Sequence, residues 1–155
     1  MAKNDPLAEG ENVVRYVAEE DYDVGVISGT AFERVEKDHD GLSVNRLGIL
    51  VADNVEADLI AIRSIMLTRS VPLDPEGCFA QLNVKQIRYI GHQLSVSIDV
   101  VESASAGRPR EGKLPNPAHA SIVGLPYKGN EYAEYASDLL RKSVVRHFPA
   151  WIQNN

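Results

Sequence analysis

The stretch "CFAQLNVKQIRYIGHQLSVSIDVVES", residues 78–103, decides how this chain folds. In its second half Leu94, Val96, Ile98 and Val100 interleave with Ser95, Ser97, Asp99 and Val101. A period of two places one set on a buried face of a strand and the other on a mostly wet one. The first half also has a strand reading, with Phe79, Leu82 and Val84 mostly inward. Gly91-His92 then turns between the two, which predicts an antiparallel hairpin.

Upstream, "ADNVEADLIAIRSIML" (52–67) predicts a helix. Val55, Leu59, Ile62 and Met66 recur at spacings of four, three and four, which puts them on one face. Asp53 or Asn54 can cap it, and Glu56 and Asp58 suit the positive end of its dipole. Earlier still, "VVRYVA" predicts a short strand, "YDVGVISGTAF" a turn, a strand and a second turn, and "LSVNRLGILV" a strand entering a short helical turn at Asn45. Residues 1–12 predict a loose lead-in to one domain over 13–155.

Downstream, "ASAGRPREGKLPNPA" (104–118) predicts one long loop, and loops of that length in compact domains are often functional or disordered. "HASIVGL" is apolar enough for a central strand, ended by Pro126. "EYAEYASDLLRKSVVRHF" (131–148) predicts the last helix, with Tyr132, Ala136, Leu139, Leu140 and Val144 on one face and Trp151 packed beneath it. Helices that do not alternate regularly with strands argue for an α+β fold. The expectation is a mostly antiparallel sheet, open or curled, with two packed helices.

A chain of 155 residues can bury a real core without staples. No apolar run approaches the roughly 18 residues needed to span a membrane, and the polar, acidic N-terminus lacks the apolar core of a secretory signal. Cys78 is the single cysteine, which excludes an internal disulfide and a multi-cysteine zinc site and suits a reducing cytoplasm. Residues 1–40 carry eleven Asp/Glu and four Lys/Arg, net −7, against a total of −6. That acidity opposes nucleic-acid binding, which runs largely on phosphate contacts, while an acidic surface can meet a basic partner.

His119 is the leading candidate for chemistry, at the junction of a proline-rich loop and a buried strand. Imidazole titrates near neutral pH and serves as a general base or a ligand. The plainer reading is that it bonds a loop carbonyl and pins the strand start. Asn45 can cap the following turn or touch a ligand. Arg108, Arg110 and Lys113 can clamp a phosphate, or simply form a solvated loop. "KDHDG" (37–41) groups Asp38, His39 and Asp40, but adjacent side chains of an extended chain point apart and do not converge on a metal. Cys78 lies two residues from Glu76, which disfavours a thiolate. No nucleophile elbow, nucleotide-binding glycine pattern or metal-ligand spacing occurs, so no metal or cofactor is called for.

Four ordered blocks, "ISGTAF" (27–32), "DGLSVNRL" (40–47), "CFAQLNV" (78–84) and "NPAHASIVGLP" (116–126), carry a resemblance. Together they resemble a group of small, functionally uncharacterised bacterial proteins, over roughly residues 24–146. Pro117, Ala118, His119 and Ala120 fit the fourth block. After "LSVN" this chain has Arg46 where the pattern implies an aromatic. The resemblance implies a bacterial origin and a single intact domain, and it carries over no catalytic residue.

Two functions follow as expectations. The first is a non-enzymatic cytoplasmic protein-interaction domain, accessory, antitoxin-like or immunity-like, meeting a protein partner. A homo-oligomer joined through an exposed edge strand is compatible with it. The alternative is a small hydrolase or transferase acting on a phosphorylated or nucleotide-like substrate. There His119 is general acid/base, Asn45 orients the substrate, and Arg108 or Arg110 meets its charge.

Overall fold

The computed structural model describes residues 1–23, 25–35, 38, 41–69 and 71–151. Six strands form one antiparallel sheet: β1 (Asn12–Val17), β4 (Leu42–Arg46), β5 (Cys78–Asn83), β6 (Asp99–Glu102), β7 (His119–Val123) and β8 (Arg146–Pro149). Their order is β6-β7-β4-β1-β5-β8. Two short strands, β2 (Tyr22–Asp23) and β3 (Val26–Ile27), pair separately. The sheet has two ends and does not close into a barrel, and the α+β class is borne out.

Alternation along the strands sorts the core into two layers. Val13, Val17, Leu42, Val44, Ala80, Leu82, Val100, Ala120 and Ile122 face one side. They pack against Ile87 and Ile90 of helix α2 (Val84–Leu94) and Ala136 and Leu140 of helix α3 (Ala133–Lys142). Val14, Phe79 and Phe148 face the other side, under Leu59 and Ile62 of helix α1 (Val55–Thr68). Helix α1 thus covers the β1-β5-β8 half of its face. The β4-β7 half carries Ser43, Asn45, His119 and Ser121.

Helix α1 forms where the periodicity places it. Asn54 caps it by accepting from the Ala57 amide at 3.0 Å. Asp58 does more than suit the dipole. It is buried, and its two oxygens accept from the amides of Gly48 (2.8 Å) and Val51 (3.0 Å), tying the β4–α1 loop to the helix.

The hairpin expected over 78–102 is corrected. Strand β5 ends at Asn83, whose side chain caps α2 directly. Gly91-His92 lies inside that helix and forms no turn, and α2 brings the α-helices among the described residues to three where two were expected. Val84, Ile87, Ile90 and Gly91 form its buried face. The period-two pattern from Leu94 straddles the helix end, and only Asp99–Glu102 is strand. Gly91 is required there, because a Cβ on it would meet the Val96 carbonyl oxygen at 2.7 Å.

The last helix is also shorter than expected. It stops at Lys142, and Arg146–Pro149 joins the sheet beside β5. Trp151 packs by α1 instead of α3: its indole nitrogen donates to the Leu73 carbonyl, and Arg63 lies over its ring at 4.5 Å.

Residues 4–7 of the expected lead-in lie along β6. The Asn4 and Leu7 amides donate to Glu102 and Val100, and Leu7 is buried. The 104–118 loop is folded on itself, with Ser105 paired to Asn116 and Arg108 to Lys113. Gly107, at φ +68°, lets its two arms close, since a Cβ would sit 2.4 Å from the Lys113 carbonyl oxygen.

Candidate functional site

His119 opens β7 and faces the half of the sheet that α1 leaves uncovered. Its Nδ1 lies 2.9 Å from the Ser103 carbonyl oxygen, and its Nε2 lies 3.2 Å from Ser43 Oγ. A carbonyl only accepts, so Nδ1 carries the hydrogen and donates. In the neutral ring Nε2 is then the acceptor, and the Ser43 hydroxyl donates to it. Burial pushes the His119 pKa down, as does the positive charge of Arg69; the Ser103 bond and Glu102 push the other way. The net direction favours the neutral ring. The plainer reading of His119 is therefore half met: it holds a loop carbonyl, and its other nitrogen meets a side chain.

Ser43 is held by its neighbours. Strands β1 and β4 pair only at Val13–Arg46 and Val14–Asn45. Beyond that point Arg15 bridges the gap, its Nε donating to the Ala31 carbonyl (2.7 Å) and its Nη1 to the Ser43 carbonyl (2.8 Å). Burial brings this guanidinium down to about 10, against the pull of Asp38 and Asp21.

Asn45 lies opposite His119 in the β4–β7 register. It is buried, and its Oδ1 accepts from Asn116 Nδ2 at 2.8 Å. Asn116 in turn accepts from the Ala118 amide at 3.1 Å. Asn45 locks the base of the 104–118 hairpin to β4 through its bond to Asn116.

A cleft of about 280 Å³ opens beside His119, lined also by Lys3, Arg69, Ser103, Ala104 and Ser105. A neighbouring cleft of about 310 Å³ is lined by Arg69, Ser105, Gly107, Arg108 and Lys113. Of the two predicted arginines, Arg108 lines this second cleft and Arg110 lines neither. Ser43, Arg69 and Ser105 escape sequence reasoning. Arg69 reads only as a cation near a helix end, and nothing in the order of residues announces that Ser43 meets His119.

The acidic side of the molecule forms its own concavities. One, of about 780 Å³, lies between the turn Gly29–Phe32 and α3, with Glu33, Glu131, Glu134 and Asp138 on its walls. Arg141 and Lys142 hold the Asp138 carboxyl below its usual range. Another, of about 650 Å³, is lined by Tyr16, Glu19, Glu20 and Asp74 among others.

Cys78 is buried, and burial pushes its thiol up to about 12, which suits a packed residue. Lys37, His39 and Asp40 of "KDHDG" lie outside the described residues. Among the described residues, no group of three His, Cys, Asp or Glu side chains is placed to hold a metal ion, and no helix is long and apolar enough to cross a membrane. Comparisons with protein families, curated proteins and solved structures find no match.

Proposed function

We propose that this chain is a non-enzymatic cytoplasmic bacterial protein-interaction domain, accessory, antitoxin-like or immunity-like, that meets a basic partner. The observation that carries this reading is the groove between Gly29–Phe32 and α3. Carboxylates stand on both of its walls. Tyr135 lines it at 67% exposure, and Tyr132 nearby is 52% exposed. Four carboxylates outnumber the one cation of the groove, Lys142, which pairs with Asp138 at 3.0 Å. A concave surface of net acidic charge steers an oppositely charged partner, and tyrosines supply anchor area at low entropic cost. Co-purification with tagged protein at native expression levels tests it. A basic partner is expected to be retained at about 0.1 M salt and shed near 1 M, where the screening length falls from about 10 to about 3 Å. It is also expected to be lost from a Glu131→Gln, Glu134→Gln variant. Recovery of monomeric bait alone would overturn the reading.

One bond favours a second reading, a small hydrolase or transferase acting on a phosphorylated or nucleotide-like substrate. A neutral imidazole, anchored through Nδ1 and accepting from a serine hydroxyl through Nε2, is poised to take a proton from that hydroxyl. His119 is then general acid/base and Ser43 the group it activates. Turnover of p-nitrophenyl phosphate that falls about a hundredfold in His119→Asn supports it; equal rates in the two proteins remove it.

A further inference from the structure

We infer that Arg69 and Ser105, with Lys3 and Lys113 at the rim, form a subsite for a phosphate group where the two small clefts meet. The inference stands apart from the acidic groove. It names the substrate chemistry of the His119 reading without depending on catalysis.

Arg69 and Ser105 are the two residues common to both clefts. Arg69 follows the last turn of α1, and its guanidinium is fixed by two neutral acceptors. Nη1 donates to Ser105 Oγ at 3.0 Å and Nη2 to the Leu114 carbonyl at 2.6 Å. A guanidinium has five N–H groups, so each terminal nitrogen keeps one more to give. Neither acceptor carries charge, and among the described residues Arg69 forms no ion pair, so its positive charge is uncompensated by direct contact.

The serine completes the donor set. Ser105 Oγ accepts from Arg69 Nη1 and from the Gly107 amide at 3.3 Å. A hydroxyl has two lone pairs and one hydrogen. With both lone pairs engaged, the hydrogen is left to seek an acceptor in the cleft. An anion with several oxygens matches converging Arg and Ser donors, and a fixed arginine fork is suited to phosphate.

The surroundings reinforce the sign. Lys3 lines the first cleft, and Arg108 and Lys113 line the second. Glu111 is an acid at this rim, 3.6 Å from Arg108 and 4.0 Å from Lys113. Glu102, buried close by, is engaged by the Ala104 amide at 3.0 Å.

Titration calorimetry of the full chain with inorganic phosphate and with pyrophosphate, at low salt and neutral pH, tests the site. Saturable binding is expected, tighter for pyrophosphate, weakened about tenfold or more in Arg69→Gln and clearly weakened in Ser105→Ala. Arg69 also pins the hairpin through Leu114, so Lys3→Gln serves as a variant that touches charge alone and is expected to weaken binding while leaving melting unchanged. Arg110→Gln, outside both clefts, is expected to bind as the parent does. Absence of saturable binding in the parent would overturn the inference. So would equal affinity in the Arg69, Ser105 and Lys3 variants, or an equal loss in Arg110→Gln, which would mark diffuse charge. Phosphate binding without any turnover supports this site while removing the catalytic reading.

Discussion

At the residue scale, His119 and Asp58 show what burial does to a polar group. His119 has its pKa lowered from 6.5, chiefly by burial. The unfolded chain takes up the proton more readily than the folded one. Its contribution to stability is therefore complete above 6.5 and is lost as pH falls through the lower folded value. The parent is expected to lose more thermal stability than His119→Asn when melted at successive pH values from 7 downward. Parallel curves would contradict this. Asp58 is buried at the start of α1, with each oxygen bound to one loop amide. Asp58→Asn replaces one acceptor by a donor facing an N–H. Denaturant unfolding should show a loss of about 1–3 kcal/mol, and the 48–51 amides should exchange faster.

At the scale of elements, α2 is the decisive one. It follows β5 without a connecting loop, and Gly91 lets the chain after it return across the helix. Alanine at Gly91 would gain about 1 kcal/mol of helix propensity. Its Cβ, though, would lie 2.7 Å from the Val96 oxygen and 3.0 Å from the Ile98 nitrogen. Overpacking of this kind costs about 1–3 kcal/mol. Gly91→Ala is expected to lower the melting temperature, while Gly10→Ala, which meets nothing within 4 Å, is expected to leave it nearly unchanged. A stabilised Gly91→Ala would show that the 95–98 segment can yield.

At the scale of the whole molecule, the sheet manages both of its edges. Residues 4–7 cover β6, with Leu7 driven into the core and its carbonyl accepting from Arg88. Strand β8 is four residues long and ends in Pro149, which offers no N–H to a neighbouring strand. Leu7→Ala should cost about 2–5 kcal/mol in denaturant unfolding and expose the Val100 and Glu102 backbone to exchange. A smaller loss with unchanged exchange would mean that the segment contributes little. The same architecture separates the charges. Carboxylates outnumber cations in the groove between α3 and Gly29–Phe32, where Arg141 and Lys142 pair with Asp138, and cations gather where α1 ends against the 104–118 hairpin.

The α+β class, helix α1, strands β1, β4 and β7, and His119 at the head of β7 were determined by the sequence itself. Those features rest on local periodicity, capping and residue type, which are legible within a few residues. Helix α2 was hidden because Val84, Ile87 and Ile90 compete with the stronger alternation that begins at Leu94. Strand β8 was hidden because Arg146–Pro149 continues a helical pattern until β5 offers it hydrogen bonds. The candidate site was the least legible part. His119 and Ser43 lie 76 positions apart, and Arg69 and Ser105 lie 36 apart. Only the antiparallel register of β4 with β7, and the packing of the end of α1 against the hairpin, bring these groups together, because hydrogen bonds between distant residues form only once the backbone has closed around them.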